Sequence, residues 1–310
     1  MTTLRLGTRK SLMATTQSRH VADVLEERTG VTVELVGVTT EGDVSRAHLA
    51  QIGGTGVFVS ALRDRLLSGE VDFAVHSLKD LPTGPAEGIA LAAVYRRDDP
   101  RDALCGPAKL ADLPRGATVG TGSPRRVAQL RALRGDLNVV PIRGNADTRL
   151  RKVTDGELDA VVLAYAGLGR IGRLDAVAEV LDPEQMLPAP GQGALAIECR
   201  SDRADLVELL RTVDDPATRA AVAAERAVLA ALEAGCAAPV GAYATVEDTA
   251  DVESSLYLTA CVASIDGARQ VRLSASGHPE RAEEVGRELA ARLFAQGADQ
   301  LMGERDIEPR

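Results

Sequence analysis

Tryptophan is absent and other rings are scarce, with Phe 3 and Tyr 4 in 310 residues. The core must then be built from Leu, Val, Ile and Ala, and base stacking on single-stranded nucleic acid lacks its platforms. Lysine stands only at Lys10, Lys79, Lys109 and Lys152, so nearly all of the 36 basic residues are arginine. Against 45 acidic residues they leave a net charge of -9, which repels a polyanion over most of the surface. Any anion must be met locally. Histidine is confined to His20, His48, His76 and His278, and Cys105, Cys199, Cys236 and Cys261 have neither CxxC nor metal-ligand spacing. That argues against a metal and for free thiols in a reducing compartment. Long apolar runs are missing too: Met1 to Gln17 carries Arg5, Arg9 and Lys10 without a signal-peptide h-region, and nothing approaches the ~18 apolar residues of a membrane span. A soluble, cytoplasmic protein is expected.

What is present is globular composition, 45% hydrophobic and 26% charged, in a length that suggests about two or three domains. Short β-rich runs alternate with helical patterns at Leu4 to Gly7, Val31 to Val38, Val71 to Val75, Ile89 to Val94, Ala117 to Gly120, Val139 to Ile142, Ala160 to Ala164 and Ala194 to Cys199. The alternation predicts α/β domains with largely parallel sheets. From Asp215-Pro216 the pattern changes: an Asp cap and a first-turn Pro open an Ala-rich helix to about Glu233. Three further β runs, at Val240 to Val246, Leu256 to Ser264 and Gln270 to Ser276, precede a last helix from about Pro279 to Gln296. That end reads as a separate α+β domain. The charged run Arg96 to Asp102 and the prolines Pro183, Pro188 and Pro190 mark two chain crossings. The expected division is 1–96 with 188–213, then 101–184, then 216–310, with a cleft and a two-stranded hinge between the first two.

The strongest chemical signal follows the strands. After Gly120 comes Thr121-Gly122-Ser123-Pro124-Arg125-Arg126, with Ser123 as N-cap and Pro124 as first helical residue. Arginines in a first turn oppose the helix dipole, at roughly 0.3–1 kcal/mol each when exposed. With the free N–H groups of the helix end they make a clamp for a carboxylate or phosphate. Similar turns are Arg143-Gly144-Asn145 leading to Arg149, Thr8-Arg9-Lys10-Ser11, and Ala166 to Arg170. Ligands of open α/β sheets bind beyond the carboxyl ends of strands, where these turns lie. Any one of these arginines is also read as ordinary solvated charge; four such turns together are not.

In Val71 to Pro82 a strand ends in adjacent Lys79 and Asp80 before a proline. Asp80 is either a general acid/base or cation stabiliser, or a turn cap beside a surface lysine. Cys236 follows Gly235 at the end of the long helix and precedes Ala237-Ala238-Pro239, a loop position suited to a nucleophile or covalent anchor, with no activating base in view. Cys199 and Cys261 lie in apolar strands as inert thiols. Gly53-Gly54-Thr55-Gly56 lacks the P-loop ending and reads as a mobile loop.

His76-Ser77-Leu78-Lys79-Asp80-Leu81-Pro82, Gly120 to Arg126, Arg143 to Leu150, Pro190-Gly191-Gln192-Gly193-Ala194 and Leu232 to Cys236 stand in one order. In this the chain resembles the hydroxymethylbilane synthases, also called porphobilinogen deaminases, from about Leu4 to the last helix. The resemblance implies two α/β doubly wound lobes of the type 2 periplasmic-binding-protein kind and a C-terminal α+β domain with an antiparallel sheet. It implies a dipyrromethane cofactor on a thioether at Cys236, and head-to-tail joining of four porphobilinogen molecules with loss of ammonia, then hydrolytic release of linear hydroxymethylbilane. Asp80 is then the catalytic carboxylate. Lys79, Thr121, Ser123, Arg125, Arg126, Gly144 and Gln192 would hold the cofactor, and Arg9, Ser11, Arg143, Arg149 and Arg170 the substrate. The expected protein is a monomeric transferase of tetrapyrrole biosynthesis, with neither nucleic acid nor membrane as partner.

There are departures. Thr55 and Ser60 stand where the family often has lysines in the loop at Gly53 to Ser60, which puts binding by that segment in question. Ala146 replaces the usual Val, and Gly122 and Pro124 replace a Ser and a Leu, without removing the cap or clamp. A second class of function, a non-enzymatic two-lobed carboxylate receptor, accounts for the arginines and leaves Cys236 and the last domain without a task.

Overall fold

The computed structural model describes residues 3–38, 56–234, 238–249 and 252–302. The chain divides into two compact units, 1–98 with 193–219 and 99–192 with 220–310.

The first unit opens with β1 (Thr3–Arg9), α1 (Leu12–Thr29), β2 (Thr32–Val38), α2 (Gly56–Leu67), β3 (Phe73–Ser77) and β4 (Ile89–Tyr95). The second then takes β5 (Asp102–Cys105), β6 (Thr118–Gly120), α3 (Pro124–Leu133), β7 (Asn138–Val140), α4 (Ala146–Thr154), β8 (Ala160–Ala164), α5 (Tyr165–Arg170) and β9 (Val177–Leu181). The chain returns to the first unit with β10 (Leu195–Arg200) and α6 (Ala204–Arg211). It ends in α7 (Pro216–Ala231), β11 (Val240–Thr249), β12 (Val252–Ala263), β13 (Gln270–Gly277) and α8 (Ala282–Ala295).

The two five-stranded sheets share one design, β2-β1-β3-β10-β4 and β7-β6-β8-β5-β9. In each, one strand runs against its neighbours, β10 in the first and β5 in the second. These are the strands made as the chain returns to the first unit and enters the second. Period-two alternation sends side chains to opposite faces, and both faces are covered. On β3, Phe73 and Val75 join Val21 and Leu25 of α1 and Leu206 and Leu210 of α6 in one core, while Ala74 packs with Leu62 and Leu66 of α2 on the other side. On β8, Val162 meets Leu130 of α3, and Val161 and Leu163 meet Leu150 of α4 and Leu168 of α5. The sheets are doubly wound, as the family resemblance implies, and the alternating pattern accounts for their α/β order.

The third sheet, β11-β12-β13, is an antiparallel meander. Its inner face, with Ala242, Ala244, Leu256, Leu258 and Ala260, packs on Val228 and Leu232 beside α7 and on Leu289 and Leu293 of α8. Asp215 caps α7 by accepting from the Thr218 amide at 2.8 Å. Within the second unit this sheet docks on α3. Arg131 reaches the Ile265 carbonyl in the β12–β13 turn at 2.9 Å, while Gln129 exchanges hydrogen bonds of 3.1 and 2.8 Å with the backbone of Leu187, the residue against which Gly241 of β11 packs. Gly267, at φ 75, brings the β12–β13 turn so close that a Cβ there would stand 2.5 Å from the Ala132 nitrogen.

Three details differ from the sequence reading. Gly56 to Ser60, expected in a mobile loop, begin α2, and Ser60 is exposed on that helix. Strands β5 and β9 are additions to the β runs expected from the sequence: one is four residues long and the other is a half-buried edge of mixed polarity, so neither carries a strong strand pattern. The run Arg96 to Asp102 is a crossing only as far as Arg101: Asp102 is the first residue of β5 and fully buried.

Candidate active site

In the first unit β1 and β3 are neighbours, so the turns after them lie side by side. Ser11 caps α1 by accepting from the Ala14 amide at 3.3 Å, and half-buried Arg9 is the last residue of β1. After β3, a single 3-10 turn, Leu78–Asp80, is pinned by two buried leucines, Leu78 and Leu81. The Leu78 amide donates to the Ala194 carbonyl at 3.0 Å. Between these anchors Lys79 and Asp80 are half-buried, and among the described residues the Asp80 carboxylate has no hydrogen-bond or ion-pair partner. A fixed backbone thus presents a carboxylate that nothing else among the described residues of the unit engages.

Beneath this turn lies a charged cluster. Arg63 of α2 grips Glu198 of β10 with Nε at 3.0 Å and Nη2 at 2.7 Å, and His76 Nε2 lies 3.3 Å from Glu198 Oε2. Burial opposes the Glu198 charge, but His76 and Arg63 outweigh it and hold the carboxyl down at about 2.

In the second unit the turns after β6, β7 and β8 are likewise adjacent, because β6 pairs in parallel with both β7 and β8. Ser123 caps α3, accepting from the Arg126 amide at 3.5 Å, with Pro124 in the first turn; Thr121 is buried and its hydroxyl accepts from the Ser123 amide at 3.3 Å. Asn145 caps α4 through the Thr148 amide at 2.9 Å. Gly122 is required by close approach, since a Cβ there would stand 2.8 Å from the Ile142 carbonyl oxygen.

Arg125 and Arg126 turn inward. Arg126 donates through Nε and Nη2 to Asp102 Oδ1, at 3.1 and 2.7 Å, and through Nη1 to the Val162 carbonyl at 2.9 Å. Arg125 Nη1 hydrogen-bonds the Leu187 carbonyl and forms an ion pair with Asp102 Oδ2 at 2.8 Å. Gln192 Nε2 adds a third hydrogen on Asp102 Oδ1 at 2.8 Å and also reaches the Pro100 carbonyl at 2.7 Å. Burial disfavours the Asp102 charge, and the two guanidinium groups overcome it, keeping the carboxyl far below its ordinary range.

Arg149 is different. Its Nε donates to the Gly144 carbonyl at 2.8 Å, and no carboxylate among the described residues pairs with it. Burial first, and then the charge of Arg126, push its guanidinium below its ordinary pKa. Arg125 Nε is also buried without an acceptor. Arg143 and Gly144 are exposed on the same turn, and Arg170 is half-buried in the last turn of α5. The second unit therefore brings Thr121, Ser123, Arg125, Arg126 and Arg149 together, and it spends Gln192 on Asp102. Cys236 and Thr55 lie outside the described residues. Asp102 is the residue that sequence reasoning missed; the available signal was an Asp directly before the apolar Ala103-Leu104-Cys105.

Two buried guanidinium groups share one carboxylate, a third, that of Arg149, has none among the described residues, and the buried Arg125 Nε–H has no acceptor. That donor set fits a ligand bearing carboxylates.

Comparison with known proteins agrees. Residues 4–208 match a family model described as porphobilinogen deaminase, dipyromethane cofactor binding domain, and residues 219–295 match the porphobilinogen deaminase C-terminal domain. A protein named porphobilinogen deaminase from Thermobifida fusca (strain YX) is 63% identical, covering 98% of this chain and 97% of its own. Porphobilinogen deaminase 1 of Streptomyces coelicolor is 58% identical over 97% of this chain and 98% of its own. A periplasmic substrate-binding protein of an ABC transporter from Coxiella burnetii is similar at a TM-score of 0.44 and 14% identity, over 72% of this chain and 96% of that one. Two family domains in sequence order, and relatives of this identity over nearly the whole length, place the chain in the porphobilinogen deaminase family, whose cofactor is dipyrromethane.

Proposed function

We propose that this chain carries out the family's reaction with Asp80 as catalytic carboxylate and with the arginine turns as seats for pyrrole acetate and propionate groups. Four porphobilinogen molecules are joined head to tail with release of ammonia, and linear hydroxymethylbilane is freed by hydrolysis. The observation that carries the reading is the surplus of guanidinium over carboxylate at the ends of β6, β7 and β8, with Arg149 left unneutralised.

Asp80 accepts hydrogen bonds from pyrrole N–H groups. It stabilises the positive charge that develops as the aminomethyl C–N bond breaks and its electron pair leaves with ammonia. It then takes up the proton displaced when the new C–C bond forms. Lys79 and the Arg9–Ser11 turn bind carboxylates beside it. Arg125, Arg126, Thr121, Ser123, Gly144 and Gln192 hold the dipyrromethane side of the ligand, and Arg143, Arg149 and Arg170 the incoming pyrrole. Dipyrromethane, when bound through the Cys236 sulfur, supplies the pyrrole from which the chain grows. Three domains, 1–96 with 188–213, 101–184 and 216–310, belong to the same reading, as does a monomeric, cytoplasmic protein. The net charge of -9 supports excluding a nucleic-acid partner.

Intact mass under denaturing conditions, before and after porphobilinogen, tests this. The expected result is an excess of two pyrrole units that grows in single-pyrrole steps and is absent from Cys236→Ala. A wild type that stays at its bare sequence mass with substrate present overturns the reading in favour of a reversible carboxylate receptor.

A further inference from the structure

Among the described residues Asp102 is the only carboxylate paired with Arg125 and Arg126, and it is fully buried. Its two oxygens are used unequally. Oδ1 receives hydrogens from Arg126 Nε, Arg126 Nη2 and Gln192 Nε2, whereas Oδ2 meets Arg125 Nη1 alone, at 2.8 Å. An arginine offers five N–H donors. Arg126 is bonded through one hydrogen each on Nε, Nη1 and Nη2, and Arg125 Nε is buried with no acceptor. A buried ion pair retained only for stability is expected to satisfy its members, because burying a charge without full compensation is strongly unfavourable. Here one negative charge serves two buried guanidinium groups, and Arg126 in turn repels the charge of Arg149.

We propose that Asp102 is the positioning residue of this arginine cluster: an internal carboxylate that aims Arg125 and Arg126 and leaves them incompletely neutralised, so that a ligand's carboxylates complete the set. The inference rests on the reading above that these arginines face the pyrrole carboxylates. Asp102 does not touch the reacting atoms. It acts through the guanidinium groups, and through Gln192, whose amide joins Asp102 to the Pro100 carbonyl beside the chain crossing. Without ligand, Asp102 is the sole compensation for the pair. With ligand carboxylates on the free N–H groups, part of that duty passes to them.

The two situations differ in what removing the charge does. Asp102→Asn is nearly isosteric and keeps an acceptor oxygen. It is made with Cys236 intact and in the Cys236→Ala protein, and the thermal midpoints of the four proteins are compared, with intact mass verifying cofactor in the Cys236-bearing pair. The expected result is that Asp102→Asn lowers the midpoint at least about twice as far without the cofactor as with it. Equal losses in both backgrounds, the signature of an ordinary structural ion pair, overturn the proposal, as does a larger loss in the loaded protein. Should the double variant not fold, Asp102→Glu takes its place with the same ordering expected, because a carboxylate one methylene longer cannot meet both guanidinium groups in a packed site. A wild type without excess mass sinks the cofactor reading itself and is told apart by that result.

Discussion

Gln17 and Ser77 meet amide to hydroxyl, with Ser77 Oγ 3.2 Å from Gln17 Nε2 and 3.3 Å from Gln17 Oε1. The contact ties α1, whose first turn carries Ser11, to the end of β3, three residues before Asp80. The turn bearing Asp80 is thus held by a polar contact on one side and by buried Leu78 and Leu81 on the other.

Because that scaffold does not involve the Asp80 carboxylate, Asp80→Asn is expected to leave the thermal midpoint unchanged within about 0.5 kcal/mol of stability. Turnover of porphobilinogen should fall by roughly 10²–10⁴-fold, the usual contribution of a positioned acid or base. A folded variant with wild-type turnover would remove Asp80 from the mechanism.

Arg149→Met keeps the apolar stem and deletes an unpaired charge. Loss of the bond to Gly144 is offset by relief from Arg126, so the free protein should change by no more than about 1 kcal/mol. The KM for porphobilinogen should rise about 10-fold or more, as expected for a lost charge-assisted bond of about 1.5–3 kcal/mol. Steady-state kinetics beside a melting curve separates the effects, and an unchanged KM would exclude Arg149 as a substrate contact.

Glu198 predicts an acid limb to the stability curve. Its carboxyl sits at about 2 in the folded protein against an ordinary 4.5, so the folded state binds the proton less readily than the unfolded chain. The stabilisation is fully present above the ordinary value and is lost as pH falls from there through about 2. Glu198→Gln should flatten that limb and, by leaving half-buried Arg63 without its counter-charge, cost about 1–3 kcal/mol near neutrality. Urea midpoints measured across the acid range test both, and parallel curves for wild type and variant would refute them.

Gly267→Ala should loosen the last sheet from α3. The added Cβ would meet backbone, the Ala132 nitrogen at 2.5 Å and the Arg131 carbonyl carbon at 2.7 Å, at a φ of 75 that side chains rarely adopt. A loss of about 1–3 kcal/mol is expected, together with faster amide exchange in the last turn of α3. Unaltered exchange there would mean that the turn does not bear on the helix.

Local signals in the sequence were enough for the α/β alternation, the change to an α+β end, the caps at Ser123, Asn145 and Asp215, and the turn that carries Asp80, while the doubly wound lobes and the antiparallel C-terminal sheet came from the family resemblance. Each local signal depends on periodicity or on residues within one turn of each other, and such contacts need no knowledge of distant chain. The arginine turns were legible as turns, and the family motifs named their chemistry. Tertiary structure decided where those arginines point. Asp102, which reads as the end of a charged linker, meets Arg126 across 24 positions and Gln192 across 90. Arg149, identical to them in type and similar in setting, is left without a counter-ion. Whether a charge is neutralised depends on what folding brings beside it and on how much water it removes, and neither is encoded in the few residues around it.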